Sequence, residues 1–252
     1  MRVISRIDIK NEFVIKGIHL EGLRKVGNPN EMALRYYQSG IDEILFMDAV
    51  ASLYDRNNLF HIVEAACKEI FIPITMGGGI RTLDDIHQCL QSGADKVAIN
   101  TAAVHNPEII QKASQRFGNQ CVVASIEAKR VGSSWEAYID NGREPTQLNA
   151  IDWAKKLESL GAGELLITSI DQEGTKRGFD NQLIAAVNRA VSIPVIACGG
   201  MGKVSDIASL LNTTVPSAIA CASIFHYDLI SIGNVKVAIA DAGYPVRREV
   251  SV

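Results

Sequence analysis

Parts of this chain recur at a fixed distance. IPITMGGGI and IPVIACGGM place Pro73 and Pro194 121 residues apart. GIDEILFMD and GAGELLITSID place Glu43 and Glu164 121 apart as well, and the opening runs RVISRIDI and CVVASIEA set Asp8 119 residues before Glu127. Motifs that return in the same order at a near-constant offset mark an internal duplication. The 252 residues therefore read as one domain, 1–252, built from half-repeats of about 1–120 and 121–252.

Each half alternates strand-like and helix-like segments. The strand-like runs are RVISRIDI, DEILFMDAV, IPITMGG, DKVAIN, CVVASIEA, ELLITSID, PVIACGG and SAIACAS. Amphipathic stretches such as NEMALRYYQSG, LDDIHQCLQSG and AIDWAKKLESLG lie between them, each closed by a glycine suited to a helix C-terminus. Eight β-α units in about 250 residues predict an α/β chain folded as a (β/α)8 TIM barrel of two similar half-barrels.

In that architecture active sites form at the carboxyl ends of the strands. Asp8 and Glu127 fall there, on strands one and five, which face each other across an eight-stranded barrel. A carboxylate at the end of a buried strand is costly unless something uses it. Two facing carboxylates suit acid–base chemistry, and the plainer alternative is a salt bridge to Lys10, Lys16, Lys129 or Arg130. Gly77-Gly78-Gly79 follow strand three and Gly199-Gly200 follow strand seven, where backbone N–H groups can approach an anion. Asn100-Thr101 and Ala222-Ser223 end the neighbouring strands. Two such cradles on opposite sides of one mouth predict a substrate with a phosphate at each end.

Composition narrows the remaining classes. A net charge of -3 argues against a nucleic-acid face or an anionic membrane surface. No apolar run reaches the ~18 residues of a spanning helix, and MRVISRIDIKNEF lacks a signal-peptide core, which predicts a cytoplasmic chain. The five cysteines contain no C-x-x-C pair and read as reduced packing residues. The five histidines form no H-x-H or H-E-x-x-H, so no metal site is expected.

With Asp8, Lys16, GGGI, GADKVAINTAA, SIDQEGTK and FHYDLISIGNVK in place, the chain resembles the HisF family nearly end to end. These are cyclase subunits of imidazole glycerol phosphate synthase. The resemblance implies a lyase-type barrel that takes ammonia through its bore from a HisH-type glutaminase, as a heterodimer and with no cofactor. The ammonia condenses with a bis-phosphorylated ribulosyl aminoimidazole carboxamide ribotide (PRFAR), giving imidazole glycerol phosphate and aminoimidazole carboxamide ribotide (AICAR) in histidine biosynthesis. By that resemblance Asp8 and Glu127 are the catalytic carboxylates and Lys16 the substrate-side lysine. Gly79, Asn100, Thr101, Gly174, Gly200 and Ser223 match phosphate positions, while Asp48 and Thr168 line the mouth. Arg2, Glu43, Lys96 and Glu164 match a charged ring at the ammonia entrance, which the related Amadori isomerase of the same pathway does not need. No cysteine sits in a G-x-C-x-G elbow, so ammonia must come from solvent or a partner.

Two positions depart from the family. Glu127 and Glu173 stand where it has aspartate. One extra methylene carries a carboxylate roughly 1.5 Å further, and displacements near 1 Å can cost on the order of 10²-fold in rate. KGIHLEGLR, FMDAVASLYDRNN and YIDNGREPT look more like HisF paralogues of surface-polysaccharide loci, thought to channel ammonia for sugar amidation. The resemblance therefore leaves the cyclase and that paralogue both open. Residues 17–30 read as a long β-α loop poised to close as a lid with Arg24 near substrate, and Lys129, Arg130, Lys176 and Arg177 as cations following strands five and six.

Overall fold

The computed structural model describes residues 1–49 and 59–247. Most of FMDAVASLYDRNN therefore lies outside the described residues. Eight parallel strands close a barrel: β1 (Arg2–Lys10), β4 (Glu43–Asp48), β5 (Ile74–Gly77), β6 (Lys96–Ile99), β7 (Val122–Val131), β10 (Glu164–Ser169), β11 (Val195–Cys198) and β12 (Ala218–Cys221). Each pairs with the next, β7 pairs β10, and β12 pairs β1. β1 and β7 are thus four strands apart in either direction. Following partners around from Asp8 leads through Met47, Gly77, Ala98, Val123 and Glu164. That path descends from mouth to base, the stagger a closed, tilted barrel requires.

Strand alternation sorts the side chains into two cores. Val3, Ile7, Ile9, Ile44 and Phe46 face the helices and join one large apolar cluster. Ile4, Leu45, Ala98, Val123, Leu166, Ile196, Ala218 and Ala220 fill the lumen as a second. Helices Pro29–Gln38, Leu83–Gln91 and Ala150–Ser159 occupy the stretches that amphipathicity indicated. Asn28, Thr82 and Asn149 cap their first turns by accepting backbone N–H bonds. Among the described residues no helix is long and apolar enough to cross a membrane.

The segment expected as a lid loop is instead a hairpin. β2 (Phe13–Ile18) runs antiparallel to the end of β1, and β3 (Glu21–Gly27) returns beside it. Phe13-Val14-Ile15 and Leu23 to Val26 supply enough β-branched and apolar character to extend the sheet rather than leave an open loop. Its tip crosses the mouth: the His19 N–H donates to the Glu173 carbonyl at 2.8 Å, and Asn141 Nδ2 to the Leu20 carbonyl at 3.4 Å. Arg24 is exposed on the outer strand. β7 carries a matching extension, β8 (Ser134–Ile139) and β9 (Glu144–Asn149). Lys129 and Arg130 accordingly lie within β7 rather than after it. Lys129 lies over the Tyr138 ring, and Arg130 stacks over Trp135 with Nη2 2.6 Å from Gln182.

Candidate active site

The strands bring the two carboxylates to one mouth but give them opposite surroundings. Asp8 lies beneath the hairpin, 6% exposed, accepting from Arg6 Nε at 2.8 Å and from Lys16 Nζ at 3.4 Å. Burial alone would raise its pKa; the two cations outweigh that and hold the carboxyl below its usual range. Glu127 is equally buried but has no cation in contact among the described residues. It accepts from Asn100 Nδ2 at 3.2 Å and from the Gly142 N–H at 2.8 Å. Desolvation pushes its pKa up to about 7, against the opposing pull of Arg6 and the Gly142 N–H.

Lys16 is buried on β2 and forms ion pairs with Asp8 and Glu173, so Glu173 anchors the hairpin to the loop after β10. Burial pulls against its charge, but Glu173 and Asp8 raise its pKa overall. Gly174 makes that seam possible. Its φ is +75°, and a Cβ there would stand 2.3 Å from the Gly17 carbonyl oxygen.

The glycine loops flank this centre unequally. On the β5–β6 side a cavity of about 250 Å³ opens beside Asp48, Gly78, Gly79, Asn100, Thr101 and Glu127. Gly78, at φ +92°, lies against the Asp48 backbone, where a Cβ would meet the carbonyl oxygen at 2.3 Å. The opposite recess, bordered by Gly174, Gly200 and Ser223, holds only about 10 Å³, room for roughly one water. The space around Asp8 and Lys16 is as small. The Glu127 side is open and the Asp8 side is sealed by the hairpin.

At the base, Arg2 bridges Glu43 and Glu164, and Lys96 Nζ sits 3.1 Å from each of the same carboxylates. The four side chains form a closed ring of alternating charge, with the apolar lumen directly above it.

Sequence reasoning passed over Arg6. Its guanidinium lies inside the barrel, donating from Nε to Asp8 and from Nη1 to Thr168 Oγ1 at 3.0 Å. Arg2, Ile4, Arg6 and Asp8 share one face of β1, so strict alternation would have revealed an inward cation. The roles of Glu173 as hairpin anchor and of the Gly142 N–H depend on loops that local pattern does not place. Lys176 lies 5.7 Å from the Tyr227 ring centre, and Arg177 is exposed.

Comparisons with known proteins bear on this geometry. A family described as "Histidine biosynthesis protein" matches residues 2–231. The imidazole glycerol phosphate synthase subunit HisF of Legionella pneumophila is 60% identical over 207 residues, 82% of this chain and 98% of that protein. The subunits of the same name from Dehalococcoides mccartyi strains BAV1 and CBDB1 are each 45% identical over 248 residues, covering 98% of both chains. All three carry the synthase name, which lends no support to the sugar-amidation or isomerase alternatives. A closed parallel barrel, a family match across nine-tenths of the sequence and these identities lead to one assignment: the chain belongs to the HisF family of imidazole glycerol phosphate synthase subunits.

Proposed function

We propose that this chain is the cyclase of a cytoplasmic imidazole glycerol phosphate synthase, joining ammonia to PRFAR and releasing imidazole glycerol phosphate and AICAR. The observation that carries the reading is the opposed pair Asp8 and Glu127 in one mouth, set between two glycine cradles. Environments that push two carboxyl groups apart divide acid from base. Asp8 remains an anion beside Arg6 and Lys16, suited to accept a proton or steady a cationic intermediate. Glu127 titrates near neutrality and can give or take a proton during ammonia addition and ring closure. Lys16 orients Asp8 and approaches the substrate from the hairpin side.

One phosphate would rest against Gly79, Asn100 and Thr101, with Asp48 at the cavity wall. The other would rest against Gly174, Gly200 and Ser223, below Thr168. The second cradle has to widen by movement of the hairpin before a phosphate enters, because its free space is about 10 Å³. Ammonia would come from a HisH-type glutaminase docked on the N-terminal face, passing the ring of Arg2, Glu43, Lys96 and Glu164. A neutral molecule crosses such a ring and an apolar lumen far more readily than an ion does.

The deciding experiment is steady-state turnover of PRFAR by the purified chain with high ammonium at alkaline pH. Formation of AICAR supports the assignment and shows that Glu127 serves in place of aspartate. A folded chain that binds PRFAR and forms no AICAR refutes it.

A further inference from the structure

Arg6 is the largest fully buried side chain among the described residues, 1% exposed, and it borders the open cavity beside Glu127. Its Nε donates to Asp8 and its Nη1 lies 3.0 Å from Thr168 Oγ1 and 3.6 Å from Cys198 Sγ. Nη2 takes no protein partner among the described residues. Removing a guanidinium from water is expensive, and the ion pair with Asp8 offsets that cost through Nε alone.

We infer that Arg6 is a specificity-determining residue of the mouth, whose Nη2 edge takes a neutral carbonyl, carboxamide or hydroxyl oxygen from the middle of a ligand held by phosphates at both ends. This rests on the two-cradle reading proposed above. The guanidinium is planar and rigid, so fixing Nε on Asp8 and Nη1 on Thr168 also fixes where Nη2 points. Arg6 borders the open cavity on the β5–β6 side, and Cys198, 3.6 Å from its Nη1, borders the Gly200 recess, so the guanidinium stands between the two cradles, where the central part of such a ligand would lie. Charge count selects a neutral acceptor. Arg6 and Lys16 are matched by Asp8 and Glu173, so a third anion here would be unbalanced and would also face Glu127.

The test is calorimetric titration of the purified chain with PRFAR and, separately, with inorganic phosphate as a probe of the cradles. Arg6→Met and Arg6→Lys are expected to raise the Kd for PRFAR roughly 10- to 100-fold, the worth of one charge-assisted hydrogen bond, with the phosphate Kd unchanged. Thr168→Val removes only the strut that aims Nη2 and should give a smaller rise. An unchanged PRFAR Kd in a folded variant overturns the inference. So does an equal loss for PRFAR and phosphate, which would make Arg6 structural only. If Arg6→Met fails to fold, Arg6→Lys retains the charge and decides. Should the wild type bind PRFAR without forming AICAR, the cyclase assignment falls, while the same Kd ratios still support or overturn the role of Arg6. A wild type that does not bind PRFAR sinks both.

Discussion

Replacing Glu127 with Gln should make the barrel more stable in alkali and leave it unchanged in mild acid. The folded chain holds this carboxyl at a pKa of about 7, against 4.5 for the free side chain. A gap of roughly 2.5 pH units at 1.36 kcal/mol each is about 3 kcal/mol. The sign follows from proton counts. Between pH 4.5 and 7 the folded state keeps a proton that the unfolded chain has released, so raising the pH favours unfolding. Below the unfolded pKa the buried neutral acid carries no ionisation penalty; above the folded pKa the full penalty applies. Gln cannot ionise and escapes it. Wild type should therefore lose about 2.5 kcal/mol more than Glu127→Gln between pH 5 and pH 8, most of the full effect. For a chain of this size that is a relative fall in Tm of roughly 5–10 °C. Thermal unfolding of both proteins at the two pH values reads this difference directly. Parallel pH dependence in the two would show that Glu127 does not titrate near neutrality, and its assignment as the proton-exchanging group would go with it.

Asp8→Asn should remove cyclase turnover with free ammonia by at least ~10²-fold while the protein stays folded, as judged by circular dichroism; near-normal turnover would remove the acid–base assignment. Lys96→Ala leaves Glu43 and Glu164 with Arg2 alone, so in the glutaminase complex glutamine-supported turnover should change more than ammonium-supported turnover. Equal effects on the two rates would argue against a channel role for the ring. Gly174→Ala forces a side chain against the Gly17 carbonyl at positive φ, a strain of about 1–3 kcal/mol. Amide exchange at residues 17–20 should accelerate in that variant, and unchanged protection would show that the hairpin is held elsewhere.

The barrel was legible because its evidence is periodic. Alternation along β1, β4 and β10 marks inward and outward faces, and a duplicated order of motifs limits which strands can neighbour one another. The basal ring came from the family resemblance rather than from periodicity; the structure shows why its members meet, since Arg2, Glu43, Lys96 and Glu164 each open a strand at the base. The hairpin at 13–27 was not legible, because its turn at His19-Leu20 contains none of the Asn-Gly or Asp-Gly signals that announce a tight reversal. Both residues take positive φ there, His19 at 52° and Leu20 at 65°, which tertiary contacts with Ile170, Glu173 and Asn141 hold in place. Local propensity carries no trace of those partners.

The same limit explains the carboxylates. Asp8 and Glu127 occupy equivalent places on opposed strands, each followed by a hairpin, and nothing in the two strand motifs alone tells acid from base. The distinction comes from what arrives at each. Arg6 and Lys16 converge on Asp8 from β1 and its hairpin, whereas Glu127 receives two uncharged donors, the Asn100 amide and the Gly142 N–H. Uncharged donors stabilise a buried anion less than cations do, so ionisation at Glu127 is deferred to neutral pH while Asp8 stays charged. In the function proposed above, symmetry of backbone with asymmetry of charge is what would let the two matching strand ends serve opposite proton roles. The longer Glu127 side chain fits this arrangement: it reaches both the Gly142 N–H, supplied by the loop beyond β8, and the open cavity, which the sealed position of Asp8 does not border.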